Sequence, residues 1–165
     1  MASSGYVVEI TIISCEDLTT TSFKKPIRKN ARGVIRMPHC NEQVCSTSLD
    51  KEGGSFPRWN EKFTMEMSSW ANWFDVEIYS GMEKVIGKAR IPASDFVGGI
   101  LPEGYLNFLS YRLREKNGEW NGIVNVSVRV IKRKKEREEG FGCGYVVGVP
   151  SRMVTGIPVY SGVKM

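Results

Sequence analysis

The chain has 165 residues, 41% of them hydrophobic and 25% charged, with a net charge of +5. That composition is enough for one domain with a real core and excludes an intrinsically disordered chain, and no run is apolar and long enough to form a membrane-spanning helix. One histidine and four cysteines give a poor basis for a metal cluster or for histidine-centred catalysis.

Tyr6 to Ser14 alternates and is rich in valine and isoleucine, which predicts a first strand. Cys15 to Lys29 is polar, holds Pro26 and reads as a long loop. Arg32 to Met37 is a second strand closed by Pro38, and Gln43 to Ser48 is a short third. Asp50 to Pro57 carries Gly53, Gly54 and Pro57, a turn region. Lys62 to Met67 alternates, with Phe63, Met65 and Met67 on one face. Trp73 to Tyr79 is a fifth strand, followed by a short turn around Gly81 and a sixth strand from Val85 to Ile91, ended by Pro92. Ala93 to Val97 has room for one helical turn. Leu106 to Leu113 and Ile123 to Ile131 are the seventh and eighth strands, with Asn117-Gly118 and Asn121-Gly122 between them. Eight short strands separated by turn signals predict an all-β, eight-stranded antiparallel sandwich. Trp59, Trp70, Trp73, Phe63, Phe74, Phe108 and Tyr111 are expected in its core, and Asn60 and Glu61 in a structural turn.

After Ile131 the character changes. Lys132 to Glu139 is a charge run, and from Gly140 onward the chain is rich in glycine and valine, with one apolar patch from Met153 to Tyr160. The expected division is a domain over residues 1–132 and a basic run with a glycine-rich, mostly disordered tail over residues 133–165. Met1 to Tyr6 lacks the basic start of a signal peptide, Ala2 excludes the myristoylation signal, and no terminal cysteine suits prenylation. A cytoplasmic protein with peripheral membrane association is therefore expected. Its cysteines Cys15, Cys40, Cys45 and Cys143 are expected as free thiols.

Three segments carry a family resemblance. Val7 to Leu18 (VVEITIISCEDL) is an opening strand running into a loop. Phe56 to Phe63 (FPRWNEKF) resembles an Asn-Pro-x-Trp-Asn-Glu-x-Phe element, with Phe56 at the asparagine position. Phe74 to Ile91 (FDVEIYSGMEKVIGKARI) resembles a strand, loop and IGxxxI strand. In this order they resemble the C2 domain. IPASDFVGG, PEGYLNFLSYRLR and GIVNVSVRV within Ile91 to Val130, followed by VTGIPV, are similar to the small plant C2 proteins known as Bonzai-associated proteins. The resemblance implies a C2 sandwich, calcium-dependent phospholipid binding, a copine-type partner, and negative regulation of programmed cell death and plant defence, including the hypersensitive response.

The residues themselves argue differently about calcium, which takes six to eight oxygen ligands. Where strongly calcium-binding C2 domains carry loop aspartates, this chain aligns Asn30, Ser80 and Met82. Asp17 and Glu83 remain as weak metal candidates. Glu16, Asp50 and Glu52 read as solvated loop charges. The expectation is membrane contact with no required cofactor, the alternative being a weak calcium site completed by lipid phosphate.

Lys24, Lys25, Arg28, Lys29, Arg32 and Arg36 form a basic run with no acid among them. Each base near an anionic leaflet contributes about 1 kcal/mol, so four give roughly 4 kcal/mol, a millimolar-scale attraction that needs a second contact. Phe23 is the candidate insertion residue. The expected lipid-binding set is Phe23, Lys24, Lys25, Arg28, Lys29 and Arg32. A second basic group, Lys132, Arg133, Lys134, Lys135 and Arg137, is diluted by Glu136, Glu138 and Glu139. In the tail, Val154, Thr155, Gly156, Ile157, Pro158 and Val159 are a candidate partner-docking motif, or a segment that packs onto the sandwich.

No catalytic residues are assigned. His39 beside Cys40 makes no evident nucleophile–base pair, and Gly140 to Gly144 lacks the lysine and helix of a phosphate loop. The sequence therefore predicts a non-enzymatic adaptor that binds anionic phospholipid membranes and a copine-type protein, and no nucleic acid. The alternatives are a protein-docking module without lipid binding and a nucleic-acid-binding β protein. Against the latter, no aromatic falls between Lys24 and Arg36.

Overall fold

The computed structural model describes residues 4–20, 23–27, 30–38 and 44–134. Arg28, Lys29, His39, Cys40, and the tail with Val154 to Val159 lie outside the described residues. Eight strands are present: β1 Gly5–Glu16, β2 Ala31–Arg36, β3 Val44–Ser46, β4 Arg58–Ser68, β5 Trp73–Ser80, β6 Lys84–Pro92, β7 Asn107–Arg114 and β8 Trp120–Lys134. One short 3-10 turn, Ala93–Asp95, follows β6. Each strand overlaps one expected from alternation, with β4 and β8 starting earlier than expected, and all pairings are antiparallel.

The hydrogen-bonded order is β3-β2-β5-β6-β7-β8-β1-β4. Its middle link is a single register pair, Lys88 opposite Arg114. Four strands therefore lie on either side of a narrow hinge, and their apolar faces share one core. Val8, Ile10 and Ile12 of β1 and Val124, Val126 and Val128 of β8 supply one wall; Ile35, Phe74, Val76, Ile78, Ile86 and Ile91 supply the other. Each such side chain contributes about 1.5–3 kcal/mol by leaving water. Gly33 on β2 sets the spacing between the walls, because a Cβ there would lie 2.9 Å from Ile12 Cδ1. Trp59 fastens the halves, its Nε1 donating to the Ala31 carbonyl at 3.1 Å. Cys15 and Cys45 are free and buried, and burial pushes the Cys45 thiol up to about 11.

Two expectations need correction. Trp70 and Phe108 are exposed, not core. Trp70 sits just past β4, in the connection to β5, and Phe108 occupies an outward position of β7, where alternation turns it from the core. Phe74 is buried, Trp59, Phe63 and Tyr111 line the core's margin, and Trp73 is half-buried. Asn60 and Glu61 lie within β4 rather than in a turn. The register of β1 against β4 slips between Ile12 and Ser14, and Asn60 adopts a positive φ of 53° there, the mark of a bulge.

Candidate functional site

Four connections meet at one end of the sandwich: loop 1 (residues 17–30), loop 2 (residues 47–57), loop 3 (residues 81–83) and the β7–β8 hairpin (residues 115–119). Hydrogen bonds tie them together. Leu18 N–H donates to the Ser55 carbonyl at 3.0 Å, and Gly81 N–H to the Asn30 carbonyl at 2.6 Å. Ile27 N–H donates to Ser55 Oγ at 3.1 Å. Loop 1 is itself a small hairpin, closed by a bridge between Thr19 and Pro26 and anchored by buried Leu18 and Ile27.

Asn121 is the main stitch. It is 2% exposed, accepts from Thr19 N–H (2.8 Å) and Thr19 Oγ1 (3.0 Å), and donates to the carbonyls of Thr19 (2.9 Å) and Ile86 (2.8 Å). One amide thus satisfies loop 1 and β6 together. Sequence reading saw Asn121 only as half of a turn dipeptide. A lone asparagine has no sequence signal for a contact 102 residues away.

The expected basic cluster is dispersed by the fold. Lys24 sits at φ 52° and its ammonium is 2.7 Å from Glu115 and 3.3 Å from Glu119. The hydrogen bond to Glu115 raises the Lys24 pKa, with Glu119 adding to it against partial desolvation. Lys24 is thus an internal tether of loop 1. Arg32 is a strand residue: its guanidinium donates to Ser46 Oγ (2.8 Å) and the Met82 carbonyl (2.9 Å) and lies 4.4 Å over the Tyr79 ring. Arg36 pairs with Glu77 at 2.8 Å. Phe23 and Lys25 are exposed at the loop tip, with the Lys25 ammonium 5.6 Å from the Phe23 ring.

The carboxylates do not converge as cation ligands: among the described residues no three histidine, cysteine or acidic groups form a metal-binding set. Asp50 is occupied by the backbone, accepting from the N–H groups of Glu52 (2.9 Å), Gly53 (3.1 Å) and Arg58 (2.8 Å). Burial acts to raise its pKa, but these three donors outweigh it and lower the pKa. Glu61 binds Ser48 through its N–H and its hydroxyl, clasping loop 2. Asp17 and Glu83 stand exposed on different loops. Arg32, donating to loop 3, places a fixed positive charge beside the loop where a calcium ion would need acceptors.

What the tip does present is a tripod. Phe23 on loop 1, Phe56 on loop 2 and Met82 on loop 3 are 76%, 58% and 63% exposed. At the same end are four exposed lysines: Lys25 on loop 1, Lys51 on loop 2, Lys84 at the start of β6, and Lys116 on the β7–β8 hairpin. None of the four has an ion-pair partner among the described residues. Asp17, Glu52 and Glu83 are interspersed, so the charge excess of this end is small. Phe56 is the residue that replaces asparagine in the strand-entry element, and Met82 stands in an aspartate position of loop 3. No helix among the described residues is long and apolar enough to cross a membrane.

Residues 6–108 match the C2 domain family model. The chain is 42% identical to BON1-associated protein 2 of Arabidopsis thaliana over 130 residues, covering 74% of this chain and 60% of that relative's length. Among solved structures, the C2A domain of plant Extended Synaptotagmin 1 aligns with a TM-score of 0.62 at 14% identity, over 81% of this chain and 97% of that one. The C2A and C2B domains of Extended-Synaptotagmin 2 align with a TM-score of 0.57 at 16% identity, over 79% of this chain and 42% of that one. At such identities the structural likeness concerns the fold.

Proposed function

The chain belongs to the C2 domain family, and from that membership we propose that it is a peripheral adaptor that docks on anionic phospholipid membranes without calcium. The observation that carries this reading is the exposure of Phe23, Phe56 and Met82 on loop 1 and on two loops that each hydrogen-bond to it. Exposed apolar surface at the loop end of a sandwich is suited to entering an apolar phase. The four lysines supply electrostatic steering, worth about 1 kcal/mol per net base at an anionic surface. Insertion of the tripod supplies the second contact that steering alone lacks.

Within the protein, Lys24 ties loop 1 to the β7–β8 hairpin through Glu115 and Glu119, and Arg32 ties β2 to loop 3 through the Met82 carbonyl, each by a fixed positive charge. By its likeness to a BON1-associated protein, the chain serves as the partner of a copine-type protein, in the setting of restrained cell death and defence. As the match spans 60% of that relative, this part rests on the shared region alone.

Sedimentation with phosphatidylserine–phosphatidylcholine vesicles tests the reading. Binding is expected in chelator, stronger at low than at high salt and persisting at both, because the apolar contact is not screened. A strict calcium requirement would overturn it, as would the absence of binding in every condition.

A further inference from the structure

A second exposed surface lies away from the loop tips, on the outward face of β7 and β8. Strand alternation turns Phe108, Ser110, Arg112 and Arg114 outward together, and all four are exposed. At the upper end of this row the Trp120 ring, 43% exposed, contacts two guanidinium groups, Arg114 at 3.8 Å and Arg112 at 4.2 Å from its centroid. Neither arginine has a carboxylate partner among the described residues. Arg114 spends one donor on the Gly118 carbonyl, at 3.0 Å.

The surroundings do not neutralise this pair. Opposite Arg114 across the hinge stands another base, Lys88, whose own charge is paired with Asp75 at 3.4 Å. On the other side, in the row Arg112–Ile123–Glu16, the Glu16 carboxylate is two strands away and accepts from Asn125 Nδ2 at 2.7 Å, while Glu115 and Glu119, beside Arg114 and Trp120 in the chain, are held by Lys24. Every other arginine whose side chain is described, except Arg32, Arg58 and Arg133, is paired with an acid. Two unpaired guanidiniums held on an indole are a pre-ordered receptor for carboxylates, since the stack fixes the planar forks before a ligand arrives.

From this geometry we infer that the outward face of β7 and β8 is a docking strip for an extended acidic segment of a partner protein. The positions along β7 set the ligand's pattern. Phe108 and Arg112 are four residues apart and Arg114 two further, so an extended segment running alongside meets the strip with one apolar residue and two acids at i+4 and i+6, all on one face. A membrane fits the strip less well. From Phe108 to Arg114 the row is about 20 Å long and runs away from the loop end, so a bilayer touching the tripod reaches only the arginines.

The test uses the full chain and fluorescein-labelled peptides. The first carries phenylalanine at position i and glutamate at i+4 and i+6, separated by serine and threonine. The second moves both glutamates by one residue, which turns them to the opposite face of an extended segment. Saturable binding of the first peptide, at least about tenfold weaker for the second, is expected. The double substitution R112Q/R114Q should weaken the first peptide by about tenfold or more, while thermal unfolding shifts only by what an exposed hydrogen bond and two exposed ring contacts contribute, because neither side chain is buried or ion-paired. Trp120→Leu, which removes the stacking platform but keeps the charges, should weaken it by a smaller factor. Equal binding of the two peptides, or binding indifferent to R112Q/R114Q, would overturn the inference. So would loss of vesicle sedimentation in R112Q/R114Q with no peptide bound, which would make the strip a headgroup surface. Vesicle binding by the unaltered chain is read separately, so failure of the strip and failure of the tripod are distinguishable.

Discussion

Replacing Phe23, Phe56 and Met82 one at a time by alanine isolates the tripod from the charges around it. A phenylalanine or methionine side chain moved fully out of water contributes about 1.5–3 kcal/mol. Scaled by the exposed fractions of 76%, 58% and 63%, each has about 1–2 kcal/mol still to gain on entering a bilayer, roughly a 5- to 30-fold change in partitioning. The three side chains stand on separate loops, so their effects should nearly add. The triple variant should lose more than about a hundredfold. Because none of the three belongs to the buried core, the melting temperature should move by no more than a surface substitution allows. The assay is sedimentation across a vesicle titration in chelator, at constant ionic strength, with circular dichroism of each variant. Single variants that bind like the parent would refute the insertion argument. If serine at Lys25, Lys51, Lys84 and Lys116 abolished binding while the tripod variants did not, the contact would be electrostatic alone.

Three further outcomes follow from the fold. Asn121→Ala leaves Thr19 N–H and two carbonyls without their partner in a buried site, and should cost about 2–4 kcal/mol in urea unfolding, with faster amide exchange in loop 1. Gly122→Ala places a Cβ 2.5 Å from the Glu16 carbonyl at a φ of 76°, and should cost at least about 2 kcal/mol in the same assay. Asp50 has its folded pKa lowered, so the stability it lends is complete above its unfolded value of about 3.9 and is lost as pH falls through the lower folded value. Asp50→Asn should lower stability at neutral pH and flatten the acid limb below about pH 4; an unchanged acid limb would show that the three backbone donors do not hold the charge.

The strand count, the strand positions and the antiparallel class were legible in the chain itself. Period-two alternation of valine and isoleucine, broken by Gly-Gly, Asn-Gly and proline, is a local signal, and valines and isoleucines supply most of the core, whereas of the seven aromatics expected there only Phe74 is fully buried. The FPRWNEKF and IGKARI elements carried the family for the same reason, because short spacings survive in one dimension.

The site was legible only in part. Phe23 was visible as an apolar residue at a basic loop. Phe56 and Met82 were visible only as departures from a pattern, since nothing local says that loops 2 and 3 lie beside loop 1. The run from Lys24 to Arg36 looked like one patch. Folding sends Arg32 and Arg36 into strand pairs, ties Lys24 to Glu115 and Glu119 ninety residues onward, and leaves Lys25 to join lysines on loop 2, β6 and the β7–β8 hairpin. Phe108 was placed inside because the sequence shows that a strand alternates but not always which face is covered, and Trp70 because the sequence did not show that β4 ends at Ser68. Alternation within a strand is set by backbone geometry, so the sequence by itself determined the sandwich. Which ends meet, which charges cancel and which aromatics remain in water depends on contacts across a hundred residues, and these only the tertiary structure decided.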